Sequence, residues 1–288
     1  MDQQYHRAGE DVSNIVHFEH INVTQPDQRL ATLFYVAGLG GTRDPYLMVG
    51  MDNMWVNFGR SQVHLPSGEP QRLRGTIGLV VPDLAQLRRQ LEKVAPALQG
   101  TEFRFEDRAG HVAVTCPWGN RFRCHAPGAE FGDTELAMAY AEFDVPPRSA
   151  EGIARFYREV IGAPAQRLER DGANVASVSV GRDQRLLFRE TADPLPDYDG
   201  HHIQIYLADF SGPYGRLLER GLITIERDAH EWRFQDIVDP DTGAMLFRIE
   251  HEVRSMKHPL FGRPLVNRNP AQSNRGYLRG QDAFRGVY

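Results

Sequence analysis

The 288-residue chain has two cysteines, Cys116 and Cys124. That is too few for a disulfide scaffold or a cysteine-based zinc site. Lysine is as scarce: Lys93 and Lys257 stand among 33 basic residues, and no mechanism follows from that bias. There is no excess of positive charge, since the net charge is -5 at pH 7, so nothing suggests a nucleic-acid or anionic-membrane partner. No apolar run approaches the ~20 residues of a membrane span. Met1 to Asn14 is polar and lacks the apolar stretch of a signal peptide. The expectation is a cytoplasmic protein. Hydrophobic residues at 41% and charged residues at 25% exclude a disordered or fibrous chain.

What is present is a repeat. Phe34-Tyr35 followed by Leu39-Gly40 returns as Phe156-Tyr157 followed by Ile161-Gly162. Gly59-Arg60-Ser61-Gln62 returns as Gly181-Arg182-Asp183-Gln184, again about 122 residues later. Cys116-Pro117-Trp118-Gly119 answers to Asp239-Pro240-Asp241-Thr242-Gly243. The chain therefore reads as a tandem duplication, with one domain over 14–127, a second over 135–253, and an irregular arm over 254–288.

Each half reads twice as strand, helix and further strands. His17 to Val23 is strand-like, and Leu30, Leu33, Phe34 and Ala37 have helical spacing up to Gly38. Tyr46 to Leu65 suits two or three strands. Asp83 caps a helix whose Leu84, Leu87, Leu91 and Val94 share one face. The second half repeats this with a helix over Ala150 to Ile161 and another over Asp209 to Arg220. The predicted fold class is α+β, built from four βαβββ units. The acidic stretch Asp193 to Asp199 reads as a connecting loop. The tail holds no periodicity and reads as an arm wrapped on the body.

Four βαβββ units, with Phe-Tyr in the helix, Leu-Gly after it, and Pro-Trp-Gly-Asn or Asp-Pro-x-Thr-Gly before the last strand, resemble the vicinal oxygen chelate superfamily. These are the glyoxalase, bleomycin-resistance and extradiol dioxygenase proteins. The resemblance covers about Val16 to Val253. It implies two tandem glyoxalase-like domains, units paired into cupped mixed sheets, and a divalent metal held in a cup by the first and last strands of each unit.

Matched residue by residue, the resemblance puts His20 and His64 at the ligand positions of unit one. Thr76 and Arg123 fall at those of unit two, Glu142 and Leu186 at those of unit three, and His202 at the first-strand position of unit four. In the last strand Met245, Phe247 and Ile249 form an apolar face, which leaves Glu250 as the carboxylate on the cup side. Units one and four thus carry His20, His64, His202 and Glu250, while units two and three carry a set that cannot bind a metal. The implied pairing is unit one with unit four, because pairing within each half would leave two incomplete sites. This departs from the extradiol dioxygenases, whose ligands all come from the C-terminal half.

Imidazoles plus one carboxylate suit one Fe, Mn, Ni or Zn ion with open positions for substrate. The implied function is a metal-dependent enzyme acting on a small substrate with two neighbouring oxygens, dioxygenase-like or glyoxalase/lyase-like. Glu250 doubles as the base that moves a proton. A metal-free small-molecule or antibiotic-binding protein is the alternative, and a homodimer is compatible with either. Asn22, Gln62, Gln204 and Tyr206 share the cup-facing parity. His17, Glu19 and His201 are expected on the opposite face, and Trp55 and Trp232 are pocket walls or core, core being the preferred reading. The arm from Lys257 to Asn269 is expected across or near the mouth of the cup, limiting access.

Overall fold

A computed structural model describes residues 10–47, 51–269, 272–281 and 283–284. Part of the Tyr46–Leu65 stretch and parts of the arm lie outside them. The first unit comprises β1 (Ile15–Asn22), α1 (Gln28–Ala31) continued by a π-helical segment (Thr32–Gly38), β2 (Thr42–Arg43), β3 (Asn53–Phe58) and β4 (Ser61–Pro66). The second has β5 (Gly75–Val80), α2 (Leu84–Val94), β6 (Arg104–Arg108), β7 (His111–Thr115) and β8 (Arg121–His125). The third has β9 (Ala137–Val145), α3 (Ala150–Phe156) continued by a second π-helical segment (Tyr157–Ile161), β10 (Ala165–Arg170), β11 (Ala173–Ser179) and β12 (Arg185–Glu190). The fourth has β13 (His202–Leu207), α4 (Ser211–Glu219), β14 (Ile223–Asp228), β15 (Glu231–Val238) and β16 (Met245–Ser255).

In every unit the first strand lies parallel to the last: β1 to β4, β5 to β8, β9 to β12 and β13 to β16. A parallel pair needs a long crossover, and the helix of each unit lies within it. The helices are made by local chemistry. Asp83 accepts from the backbone N–H groups of Ala85 and Gln86, and Leu87, Leu91 and Val94 are buried. Asp27 caps α1 in the same way. Both Phe-Tyr pairs are fully buried, so the repeated motif is core.

The two halves of the chain do not each close a sheet. One 8-stranded sheet runs β14-β15-β16-β13-β1-β4-β3-β2 and the other β10-β11-β12-β9-β5-β8-β7-β6. Unit one is joined to unit four through antiparallel β1 and β13, and unit two to unit three through β5 and β9. Among the described residues, no helix is long and apolar enough to cross a membrane.

Candidate metal centre

The register across the first sheet sets the site. His20 on β1 faces Gln204 on β13, and Gln204 lies beside Glu252 on β16. On the other side His20 lies beside Gln62 of β4. One row down, Asn22 faces His202, His202 lies beside Glu250, and Asn22 lies beside His64. His20 and His202 come from opposite ends of the chain, yet their ring centroids are 6.1 Å apart, and His64 is 5.9 Å from His20. One ligand atom each of His20, His202 and Glu252 lie within 4.8 Å of one another. Donors ~2.0–2.2 Å from a single ion span up to about 4.4 Å, so small side-chain adjustments suffice.

The carboxylate in this group is Glu252, two residues past Glu250. The two share a face of β16, and the strand continues to Ser255. The antiparallel partner of β13, not spacing along β16, decides which of them shares a row with His20. Glu250 instead accepts from Arg233 Nη1 at 2.8 Å and from the Gln235 amide at 3.2 Å, and its Oε1 is 3.7 Å from His202 Nδ1.

Glu19 does not sit on the opposite face. The β1–β13 register passes from Phe18↔Ile205 to His20↔Gln204, so Glu19 is the extra residue of a β-bulge, which re-aims a side chain. Its carboxylate accepts from His20 Nδ1 at 3.3 Å, lies 3.4 Å from the Tyr206 hydroxyl and 3.6 Å from Arg254 Nη1. Strict alternation has no signal for such a bulge. His17 stacks on Tyr206, with ring centroids 6.3 Å apart, and His201 Nδ1 pairs with Asp199 at 2.6 Å. Trp55 is a wall of the cup: it stacks on His64 at 3.7 Å and meets His20 edge-on at 4.8 Å. Trp232 is core.

These contacts leave lone pairs directed to no partner. The His20–Glu19 bond places a proton on Nδ1, and His20 Nε2 is buried and unpartnered. His64 Nε2–H donates to the Asn53 side-chain oxygen, and its Nδ1 is buried and unpartnered. A ring nitrogen held by a carboxylate or amide oxygen, with the other nitrogen free, is the arrangement that orients a histidine toward a metal. Burial pushes His20 well below its ordinary value and His64 to about 2, so both rings are neutral and their lone pairs available. Burial alone would raise Glu252, but the His202 side chain and the Arg254 and Arg233 guanidiniums hold it well below the usual carboxylate range.

The surrounding charge does not balance. Glu19, Glu231, Glu250 and Glu252 are all buried, and Arg233 and Arg254 are the guanidiniums that pair with them. Among the described residues, four carboxylates against these two guanidiniums leave a formal excess of two negative charges, and buried uncompensated charge is costly. Burial raises the Glu19 carboxyl, as crowding of like charge also would.

The second cup differs at each equivalent register. The places of His20, His202, Glu252 and His64 are taken by Tyr140, Thr76, Arg123 and Leu187. Arg123 is paired with Glu142 at 3.0 Å. Tyr140 covers Gly78 so closely that a Cβ there would collide with its ring. Leu186 lies in the core under the helices, while Leu187 packs with Tyr140 and Phe131. The residue at the first-strand position of unit three is therefore Tyr140 rather than Glu142, and the last-strand residue is Leu187 rather than Leu186.

The fold is that of the vicinal oxygen chelate proteins. A candidate dioxygenase from Bacillus subtilis subsp. subtilis str. 168 superposes with a TM-score of 0.58 at 15% identity, over 88% of this chain and 92% of that one. Glyoxalase I from Zea mays superposes with a TM-score of 0.54 at 13% identity, over 83% and 92% of the two chains. A point mutant of that maize enzyme gives 0.57 at 14% identity, with the same coverage. No family model matches the chain, and no curated protein matches it.

Proposed function

We propose that the chain is a divalent-metal-dependent enzyme of the vicinal oxygen chelate type, acting on a small molecule with two neighbouring oxygens. The observation that carries this reading is the convergence of His20, His202 and Glu252 inside a buried group with a formal excess of two negative charges, which one divalent ion balances. In this reading His20, His202 and Glu252 hold the ion, and His64 offers its free Nδ1 as a fourth donor or a substrate contact. Glu250, the proton-moving group suggested by the sequence, is instead a positioning residue for His202, since Arg233 and Gln235 occupy both its oxygens.

When bound, the ion supplies a Lewis acid for two adjacent substrate oxygens. The chain's own residues do the rest. Glu19 and Asn53 orient the rings of His20 and His64. Gln204, whose side-chain oxygen and nitrogen are both buried without partners, offers a donor and an acceptor on the row of His20. Trp55 walls the site. Two histidines and one carboxylate with open positions suit Fe(II) and oxygen, which favours a dioxygenase-like reaction over a glyoxalase- or lyase-like one.

Metal titration of dialysed protein tests the centre. One equivalent of Mn2+ or Fe2+ should bind, and the double substitution His20→Ala, His202→Ala should abolish uptake while the fold persists. Binding that survives this change would overturn the assignment. Absence of binding by the unaltered chain would favour a metal-free small-molecule binder. Oxygen consumption with catechol-type substrates then separates the reaction types.

A further inference from the structure

The C-terminal arm brings a charged group to the same cup. After β16 the chain turns at Ser255 and crosses the first sheet. Phe261 packs on Tyr206 with ring centroids 4.9 Å apart, Arg263 Nη1 donates to Asp44 at 3.0 Å, and Val266 O accepts from the Asn57 side chain at 2.8 Å. Asn267 clamps the backbone of Gly59 from both its side-chain atoms. The arm thus runs from β13 to β3 along the cup side of the rows that carry the centre. Asp44 also accepts from Gln62, the neighbour of His20 on β4, and Arg263 acts electrostatically on Glu19.

Arg263 is only partly used by these contacts. Its Nη1 serves Asp44, but Nε and Nη2 are buried with no partner among the described residues. Those two nitrogens form the side-on edge of the guanidinium, whose parallel N–H groups match the two oxygens of a carboxylate. Asp44 is already supplied by the backbone N–H groups of Tyr46 and Leu47 as well as by Gln62, so anchoring Asp44 does not account for the free edge. A buried, unpaired fork is costly unless something fills it. The Gln62 side-chain oxygen, one hydrogen-bonded neighbour away, is likewise buried and unpartnered.

We infer that Arg263 is a specificity-determining residue: it receives a carboxylate that the substrate carries in addition to the two oxygens directed at the metal. This rests on the proposed centre for the position of those two oxygens, but not for the carboxylate itself. The substrate class is narrowed to small organic acids with a vicinal dioxygen group. The arm is then part of the recognition surface, not packing alone.

The test uses the full chain loaded with Mn2+ and three probes that differ by one carboxylate: catechol, 2,3-dihydroxybenzoate and 3,4-dihydroxybenzoate. Calorimetric titration should show at least one acid binding about tenfold or more tighter than catechol, as expected for a bidentate charge-assisted pair. In Arg263→Lys, which keeps the charge beside Asp44 but lacks the fork, that preference should fall to within about twofold. The thermal midpoint should not fall, since lysine keeps a charge beside Asp44 and removes the unpaired edge. Arg263→Gln should behave like the lysine variant toward the acids. No preference for either acid in the unaltered chain, or a preference that survives in Arg263→Lys, overturns the inference. The same titrations on metal-free protein keep the two readings apart: failure to take up Mn2+ counts against the centre, while the carboxylate preference is read in either form.

Discussion

Glu19 and His20 are adjacent in sequence, yet the Glu19 carboxylate lies 3.3 Å from the His20 Nδ1 atom. Neighbours on a regular strand point to opposite faces. The bulge in β1 removes that alternation and gives the buried imidazole an oriented proton.

Glu19→Gln should therefore weaken metal binding without abolishing it, by roughly 10–100-fold, the usual cost of losing a group that orients a ligand. Calorimetric titration with Mn2+ would measure this. Affinity equal to that of the unaltered protein would mean that Glu19 does not orient the ring.

Glu252→Gln and Glu250→Gln should separate. The first removes the carboxylate grouped with His20 and His202, so metal uptake should be lost almost entirely. The second removes one of the three carboxylate partners of Arg233 and the partner of Gln235 and disturbs His202 only indirectly, so its loss should stay within about 100-fold. A reversed order would return the ligand role to Glu250.

Trp55 lies on His64, so a paramagnetic ion in the centre should quench its fluorescence. Adding Co2+ to metal-free protein should dim tryptophan emission in step with binding. In Trp55→Phe most of that change should vanish although binding persists. Full quenching in the variant would place the ion nearer another tryptophan.

Acid should destabilise the chain, and His251 shows the sign. It is completely buried; Tyr157 Oη donates to its Nε2 at 2.6 Å, and its Nδ1–H donates to Ile249 O at 2.9 Å. Burial lowers it from 6.5 to about 3. Below pH 6.5 the unfolded chain binds a proton that the folded chain refuses. The stability is therefore fully present above about pH 6.5 and is lost as pH falls toward 3, by on the order of 5 kcal/mol at most. Urea midpoints of metal-free protein should fall across that window, less steeply in His251→Gln. Equal slopes in the two would remove His251 from the account.

Cys116 and Cys124 are free and buried, and burial pushes the Cys124 thiol up to about 12. The thiolate is the reactive form, so native protein at pH 8 should resist iodoacetamide at both positions and react at both once unfolded. Rapid labelling of the native chain would contradict their burial.

Much of the architecture can be read along the chain because it depends on local patterns. The repeated Phe-Tyr and Gly anchors mark the two halves, the spacing of Leu87, Leu91 and Val94 marks a helix face, and Asp83 marks its start. The presence of histidines at ligand positions only in units one and four already implies that the ends of the chain meet, as β1 and β13 do. The short edge strand β10 has no such signal. Its Ala165–Arg170 sequence is half charged and mostly exposed, with no apolar alternation to reveal it.

What tertiary structure alone decided was register. Glu250 and Glu252 share one face of one strand, and only the partners of β13 choose between them. A single extra residue in β1 turned Glu19 toward the site, and a one-residue difference on β12 exchanged Leu186 for Leu187. Arg263 carried no periodic or motif signal at all, because its position depends on where an irregular arm crosses a sheet assembled from the two ends of the chain. Helical faces and repeats are properties of neighbouring residues, whereas the row on which a side chain meets its partners depends on hydrogen bonds between strands up to roughly two hundred residues apart, which no local pattern encodes.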